Sequence, residues 1–164
     1  GLDPPRRVAG LARKDRVIVD PALVVKLLPH GLRKPGVERV VAVQVPDLAA
    51  ADELAEFGPL ARTLAEALWP GALTLVLPLR EGAPVAAAVT AGLPTIALRC
   101  PAHPIMQAVL AKSRLNLAAT SANKSGGISP TREEHVLVSL GGAVPTILDA
   151  GPCKEGLEST IVAI

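Results

Sequence analysis

The stretch Leu117-Ala-Ala-Thr-Ser-Ala-Asn-Lys-Ser-Gly-Gly-Ile-Ser-Pro-Thr131 decides how the rest of the chain is read. Its apolar lead-in predicts a short buried strand. It then breaks into small residues bearing hydroxyls and amides, with a glycine pair at Gly126-Gly127. Ser121, Asn123, Ser125 and Ser129 offer donors and acceptors on side chains too short to block an approaching ligand. Successive backbone N–H groups in such a bend can form a concave anion site, so a phosphate is a natural guest. A plainer reading is also open: Ser129 as the N-cap of a helix, with Pro130 at its first position and Glu133 and Glu134 in its first turn.

Working outward, strands alternate with helices. Strands are predicted at 16–20, 39–45, 72–78, 95–99, 115–119, 146–149 and 159–164. Helical patterning is expected over Pro21–Leu28 as one or two turns, then at 47–57, 60–68, 85–89, 103–111 and 130–140. In the 60–68 helix Leu60, Leu64 and Leu68 share one stripe, and Trp69-Pro-Gly71 ends it because Pro70 cannot continue the ladder. The connections are uneven and rich in proline. That predicts an α/β fold with a twisted mixed sheet rather than a regular doubly wound one.

At 164 residues the chain can bury a real core as one domain. Hydrophobic residues make up 49% and aromatic ones 1%, so the core must be aliphatic and Ala-rich. Base stacking on aromatic platforms has almost nothing to use here. No apolar run reaches membrane-spanning length, which excludes a membrane helix. Cys100 and Cys153 are too few for a disulfide framework or a cysteine zinc site, so a reducing, cytoplasmic location is expected. No G-x-G-x-x-G or P-loop string occurs. Residues 1–44 hold nine Lys/Arg against four Asp/Glu, whereas residues 45–164 hold eight against eleven. The first quarter therefore differs in kind and could attract phosphates or simply be a solvated surface. The chain begins at Gly1 rather than Met, as a fragment would.

Four strings in order carry a family resemblance: Leu68-Trp-Pro-Gly-Ala-Leu-Thr-Leu75; Pro94-Thr-Ile-Ala-Leu-Arg99 with Pro101 and His103-Pro104; Thr120-Ser-Ala-Asn-Lys-Ser-Gly126 with Ser129-Pro-Thr131; and Leu148-Asp-Ala-Gly-Pro152 with Gly156-Leu-Glu-Ser-Thr-Ile-Val162. Across residues 45–164 the chain resembles the threonylcarbamoyl-AMP synthase (YrdC-like) family. The resemblance implies a twisted mixed sheet with flanking helices around a concave cavity. It also implies formation of threonylcarbamoyl-AMP and pyrophosphate from ATP, L-threonine and bicarbonate with Mg²⁺, feeding the t6A modification of tRNA. By the same resemblance Thr95, Ser121, Asn123 and Ser129 would bind ATP, while Arg99 with Ser159 or Thr160 would bind threonine. No residue is assigned a catalytic or metal-ligating role, because the substrates supply the nucleophile. A tRNA or double-stranded RNA is the implied nucleic-acid partner.

The chain departs from the family in its first 44 residues. The family's P-T-[DE]-T-V-Y-G-L and K-G-R-P strings are both missing there, and Gln44 stands where the family commonly has histidine. The family's arginine beyond the terminal strand has no counterpart before Ile164. The domain is therefore read as 1–164, with 1–44 atypical, poorly ordered or replaced, and with turnover expected to be impaired. Two other readings follow: a non-catalytic RNA- or nucleotide-binding module, and a carbamoyl-adenylate domain of a carbamoyltransferase. Among the remaining residues, His103 is read as a helix start, Trp69 as core, both cysteines as small buried hydrophobes and Lys124 as solvated.

Overall fold

Alternate residues of three central strands sort into two sets, and that sorting builds the molecule. The structure, a computed structural model, describes residues 17–20, 23–26, 41–124, 127–143, 147–153, 156 and 158–164. In chain order the elements are β1 (Val17–Asp20), β2 (Leu23–Lys26), β3 (Ala42–Gln44), α1 (Leu48–Asp52), α2 (Pro59–Leu68), β4 (Leu73–Pro78), α3 (Ala87–Thr90), β5 (Thr95–Arg99), α4 (Pro104–Ser113), β6 (Leu117–Ala119), α5 (Glu133–Leu140), a 3-10 turn at Gly141–Ala143 and β7 (Thr160–Ala163).

Five strands form one mixed sheet in the order β6-β3-β5-β4-β7, and β1 and β2 pair separately as an antiparallel ribbon. In the sheet, β3 runs parallel to β5 and β4 parallel to β7, while β3–β6 and β4–β5 are antiparallel. The expected mixed sheet is thus the one observed.

Side chains directly opposite each other across a ladder share a face. The register aligns Val43 with Leu98 and Leu98 with Leu75, so one face is aliphatic. Val43, Val45, Leu73, Leu75, Leu77, Ile96, Leu98 and Cys100 are buried there, together with Ala51, Leu54, Ala55, Ala61 and Ala65 from the α1–α2 region. Each fully buried Leu or Ile contributes about 1.5–3 kcal/mol of transfer free energy. On the other face, at the β6 edge, Met106 and Leu110 of α4 pack with Leu117 and Ala119. Phe57 meets Trp69 edge to face at 6.2 Å, and Trp69 packs on the core as expected.

Five local expectations give way to tertiary structure. Leu23–Lys26 is a strand paired with Val17–Asp20, not helical turns; its β-branched Val24-Val25 suits a ladder better than a helix. The first helix ends at Asp52, with Asp47 Oδ1 accepting from the Ala50 N–H at 2.8 Å as its N-cap. Residues 147–149 are not a strand. Ser129 does not cap α5; Arg132 holds the N-cap position, and residues 129–130 remain outside the helix. In α2, Ala61 and Ala65 are buried in the core and Leu64 packs at its margin, while Leu60 and Leu68 are exposed. His103 does start α4, its Nδ1 accepting from the Ile105 N–H at 3.3 Å. The Pro- and Arg-rich start at 1–16 and the stretch 27–40 lie outside the described residues. Among the described residues no helix is long and apolar enough to cross a membrane.

Candidate functional site

The second face of the central strands carries small and polar residues. Gln44 pairs with Arg99 across β3–β5, and Arg99 with Thr74 across β5–β4, so the three side chains share that face. All three are buried: Gln44 is 0% exposed, Thr74 2% and Arg99 3%. A guanidinium does not give up its proton in proteins, so burying it commits the fold to partners that compensate the charge.

One partner comes from the Trp-Pro-Gly motif. Arg99 Nε donates to the Gly71 carbonyl at 3.2 Å, and Gly71 N–H donates to the Cys100 carbonyl at 2.9 Å. These reciprocal bonds require the chain to fold tightly after α2. A Cβ on residue 71 would lie 2.2 Å from the Leu68 carbonyl oxygen, which only glycine avoids. Trp69 Nε1 donates to the Leu73 carbonyl at 2.8 Å and pins the same turn. The motif therefore serves Arg99 through backbone geometry.

Ser159 reaches this patch and Thr160 does not. The Ser159 and Thr74 hydroxyls are 2.8 Å apart and hydrogen-bonded. Thr160 pairs with Leu73, on the aliphatic side, and is exposed. Period-two alternation separates two adjacent residues that sequence reading had treated as interchangeable.

Thr95 begins the same strand as Arg99 and lies on the same side, with Ala97 between them. At about 3.3 Å per residue the two ends of this row are roughly 13 Å apart. Strand β6 runs antiparallel to β3, so its exit into Ser121 lies toward the Thr95 end. The loop that follows is closed by the Gly127 N–H donating to the Lys124 carbonyl at 3.0 Å. Asn123 Nδ2 donates to the Gly127 carbonyl at 2.5 Å, and Ser139 Oγ accepts from the Lys124 N–H at 2.9 Å. Lys124 itself is exposed, and Ser121 half-buried. Ser125 and Gly126 lie outside the described residues.

Farther on, the loop is tied to the chain preceding β7. Ser129 Oγ donates to the Glu158 carboxylate. Cys153 N–H donates to the Thr131 carbonyl at 2.9 Å. The loop thus leaves from the Thr95 end and is anchored beside Ser159, at the Arg99 end.

Among the described residues, two buried acceptors have no hydrogen-bond partner: Gln44 Oε1 and Asn123 Oδ1. Leaving a buried polar atom unpaired costs about 1–3 kcal/mol, so such atoms invite a ligand's donor. Gln44 is the residue that sequence reading left out of the site. Its signal was a lone amide in an otherwise apolar strand, legible only once its register with Arg99 is known. Among the described residues no group of three or more His, Cys, Asp or Glu is placed to cage a metal ion. Mg²⁺ bound through substrate phosphates and water needs no such cage.

A mixed sheet sealed on one face and carrying a buried cation, an open amide acceptor and hydroxyls on the other is an α/β domain equipped to hold a small anionic ligand with donor groups. The family model Sua5_yciO_yrdC, described as "Telomere recombination", matches residues 32–164. The chain belongs to this family. It is 44% identical over 122 residues to "Threonylcarbamoyl-AMP synthase" of Bacillus subtilis (strain 168), a match covering 74% of this chain and 35% of the relative. Two solved structures of Pyrococcus abyssi Sua5 share the fold. The H234A/Y235A variant has a TM-score of 0.80 at 31% identity, covering 92% of this chain and 46% of the other. The complex with L-threonine has a TM-score of 0.77 at 30% identity, covering 92% and 47%. The chain thus spans about a third of the curated relative and just under half of these structures.

Proposed function

We propose that the chain is the adenylate-forming domain of a threonylcarbamoyl-AMP synthase, acting on ATP, L-threonine and bicarbonate to supply tRNA t6A modification. The observation that carries this reading is the buried Arg99 in register with Gln44 and Thr74, and with Ser159 beside them, in a fold that a threonine-bound relative shares. Arg99 receives the threonine carboxylate, for which a planar fork is suited. Gln44 Oε1 and the Ser159 hydroxyl take the amino acid's donors. Thr95, Ser121, Asn123 and Ser129 hold the nucleotide; Mg²⁺, when bound, would offset the charge of its phosphates.

The threonine amine and bicarbonate form a nitrogen–carbon bond as one carbon–oxygen bond breaks and water leaves, giving an N-carboxylated amino acid whose carboxylate oxygen attacks the α-phosphorus. The new oxygen–phosphorus bond forms as the bond to the β-phosphate bridge breaks, and pyrophosphate leaves with that electron pair. No protein nucleophile is needed. The site positions two anions and offsets their charge.

The test is calorimetric titration of L-threonine together with a pyrophosphate-release assay. Arg99→Lys keeps the charge and loses the fork, so threonine affinity is expected to drop at least about tenfold. Unchanged threonine binding in that variant would overturn the assignment. The missing P-T-[DE]-T-V-Y-G-L and K-G-R-P strings favour a second reading, a binding module without turnover. Threonine and ATP binding without pyrophosphate release would select it.

A further inference from the structure

The 129–131 segment and the residues before β7 are joined at two points outside the Arg99 patch. The Cys153 N–H donates to the Thr131 carbonyl at 2.9 Å, and Ser129 Oγ donates to the Glu158 carboxylate. The next residue, Ser159, is bonded to Thr74 on the sheet. Glu158 therefore sits between the loop read as nucleotide-binding and the patch read as threonine-binding.

The direction of the Ser129 bond has a chemical consequence. A serine hydroxyl has one proton to donate, and Ser129 has committed it to a carboxylate, which can only accept. What Ser129 offers a ligand is lone pairs. Glu158 offers the same: it is exposed, and an ionised carboxylate has about four acceptor sites, of which one is occupied here. No described Lys or Arg forms an ion pair with Glu158. The pair is thus an acceptor-only, negatively charged corner. A phosphate oxygen, itself an acceptor with charge, is repelled there, whereas a donor is welcome. The donors of a nucleotide away from its phosphates include the sugar hydroxyls, and acidic side chains take ribose hydroxyls in other nucleotide folds.

We propose that Glu158 is a specificity-determining residue that accepts a ribose hydroxyl of the nucleotide and holds Ser129 as a second acceptor, so that the sugar, not the triphosphate, lies at this end of the loop. The inference rests on the nucleotide reading of the loop. It adds an orientation: the phosphates lie away from Glu158.

The experiment is titration of the full chain with ATP, 2′-deoxy-ATP, 3′-deoxy-ATP and inorganic pyrophosphate, repeated for Glu158→Ala and Ser129→Ala. The wild-type chain is expected to prefer ATP over at least one deoxy analogue by about tenfold, the range of a hydrogen bond to a charged group. In Glu158→Ala that preference falls to near onefold, while pyrophosphate affinity stays or rises. A residue that merely supported the loop would weaken all nucleotides alike and leave the preference intact, an outcome that overturns the proposal. Equal wild-type affinity for ATP and both deoxy analogues also overturns it, leaves nucleotide binding standing, and needs no variant to fold. Loss of pyrophosphate binding in Ser129→Ala, with sugar preference unchanged, puts the phosphates at this corner and overturns it as well. If ATP does not bind at all while threonine does, the nucleotide reading fails and the proposal with it.

Discussion

Arg99 and Cys100 are neighbours that face opposite sides of the sheet. The guanidinium joins the polar patch, and the thiol enters the aliphatic core at 1% exposure. There Cys100 donates to the Pro46 carbonyl at 3.2 Å and lies 3.6 Å from Gln107 Nε2. Burial pushes the thiol pKa up, outweighing the Gln107 contact that acts against it. A raised folded-state pKa means the fold holds the proton more tightly than the unfolded chain does. That stability is fully present below the unfolded thiol value of about 8.5 and is lost as pH rises toward the folded value. Denaturant titrations from pH 7 to 10 are therefore expected to show stability falling above about pH 8.5, by at most about 1.4 kcal/mol per pH unit from this group. Cys100→Ala should flatten that decline while lowering stability at pH 7; an unchanged slope would show that the thiol is not its source. The chain has no Tyr, so no phenol titrates in this window.

At the level of elements, helix α2 shows how packing distance overrides residue size. Its leucine stripe invited burial, yet only Leu64 packs against the core, at its margin; Ala61 and Ala65 are the buried residues, and Leu60 and Leu68 face outward. The two fully buried positions of the helix are both alanines, so the line of contact is filled by methyl groups. Ala65→Leu is expected to cost about 1–3 kcal/mol by overpacking, whereas Leu60→Gln and Leu68→Gln should each stay within about 0.5 kcal/mol. Chemical denaturation distinguishes the two faces, and equal losses would contradict this placement. The Trp69-Pro-Gly71 turn belongs to the same scale. Its aromatic ring packs on the core while its glycine carbonyl is presented to Arg99, so one motif serves both stability and site.

For the molecule as a whole, the sheet divides labour between its faces. Leu75 and Thr74 are adjacent, both almost fully buried, and belong to different systems. Leu75→Ala should cost about 2–5 kcal/mol through lost transfer energy and a residual cavity. Thr74→Val, which removes only the hydroxyl bonded to Ser159, should cost about 0.5–1.5 kcal/mol and weaken threonine binding more than it weakens the fold. Parallel melts and titrations of the two variants check this, and the opposite ranking would mean that the faces have been assigned wrongly.

Much of this was legible in the residues alone. The strands around Leu75 and Leu98 and the helix beginning at His103 follow from local periodicity and short-range sterics, which act within a few residues and are written directly in the chain; the four motif strings carry the family resemblance. Long-range pairing decided the rest. Register brought Gln44 beside Arg99, chose Ser159 over Thr160 and set Ser129 against Glu158 instead of at the head of α5. A one-residue shift in pairing reverses every side chain on a strand, and no local pattern encodes which distant strand will be the neighbour. The sequence by itself determined the central strands, the helix that His103 starts and the family resemblance; only the tertiary structure decided which side chains share a face, and so which of them can meet one ligand.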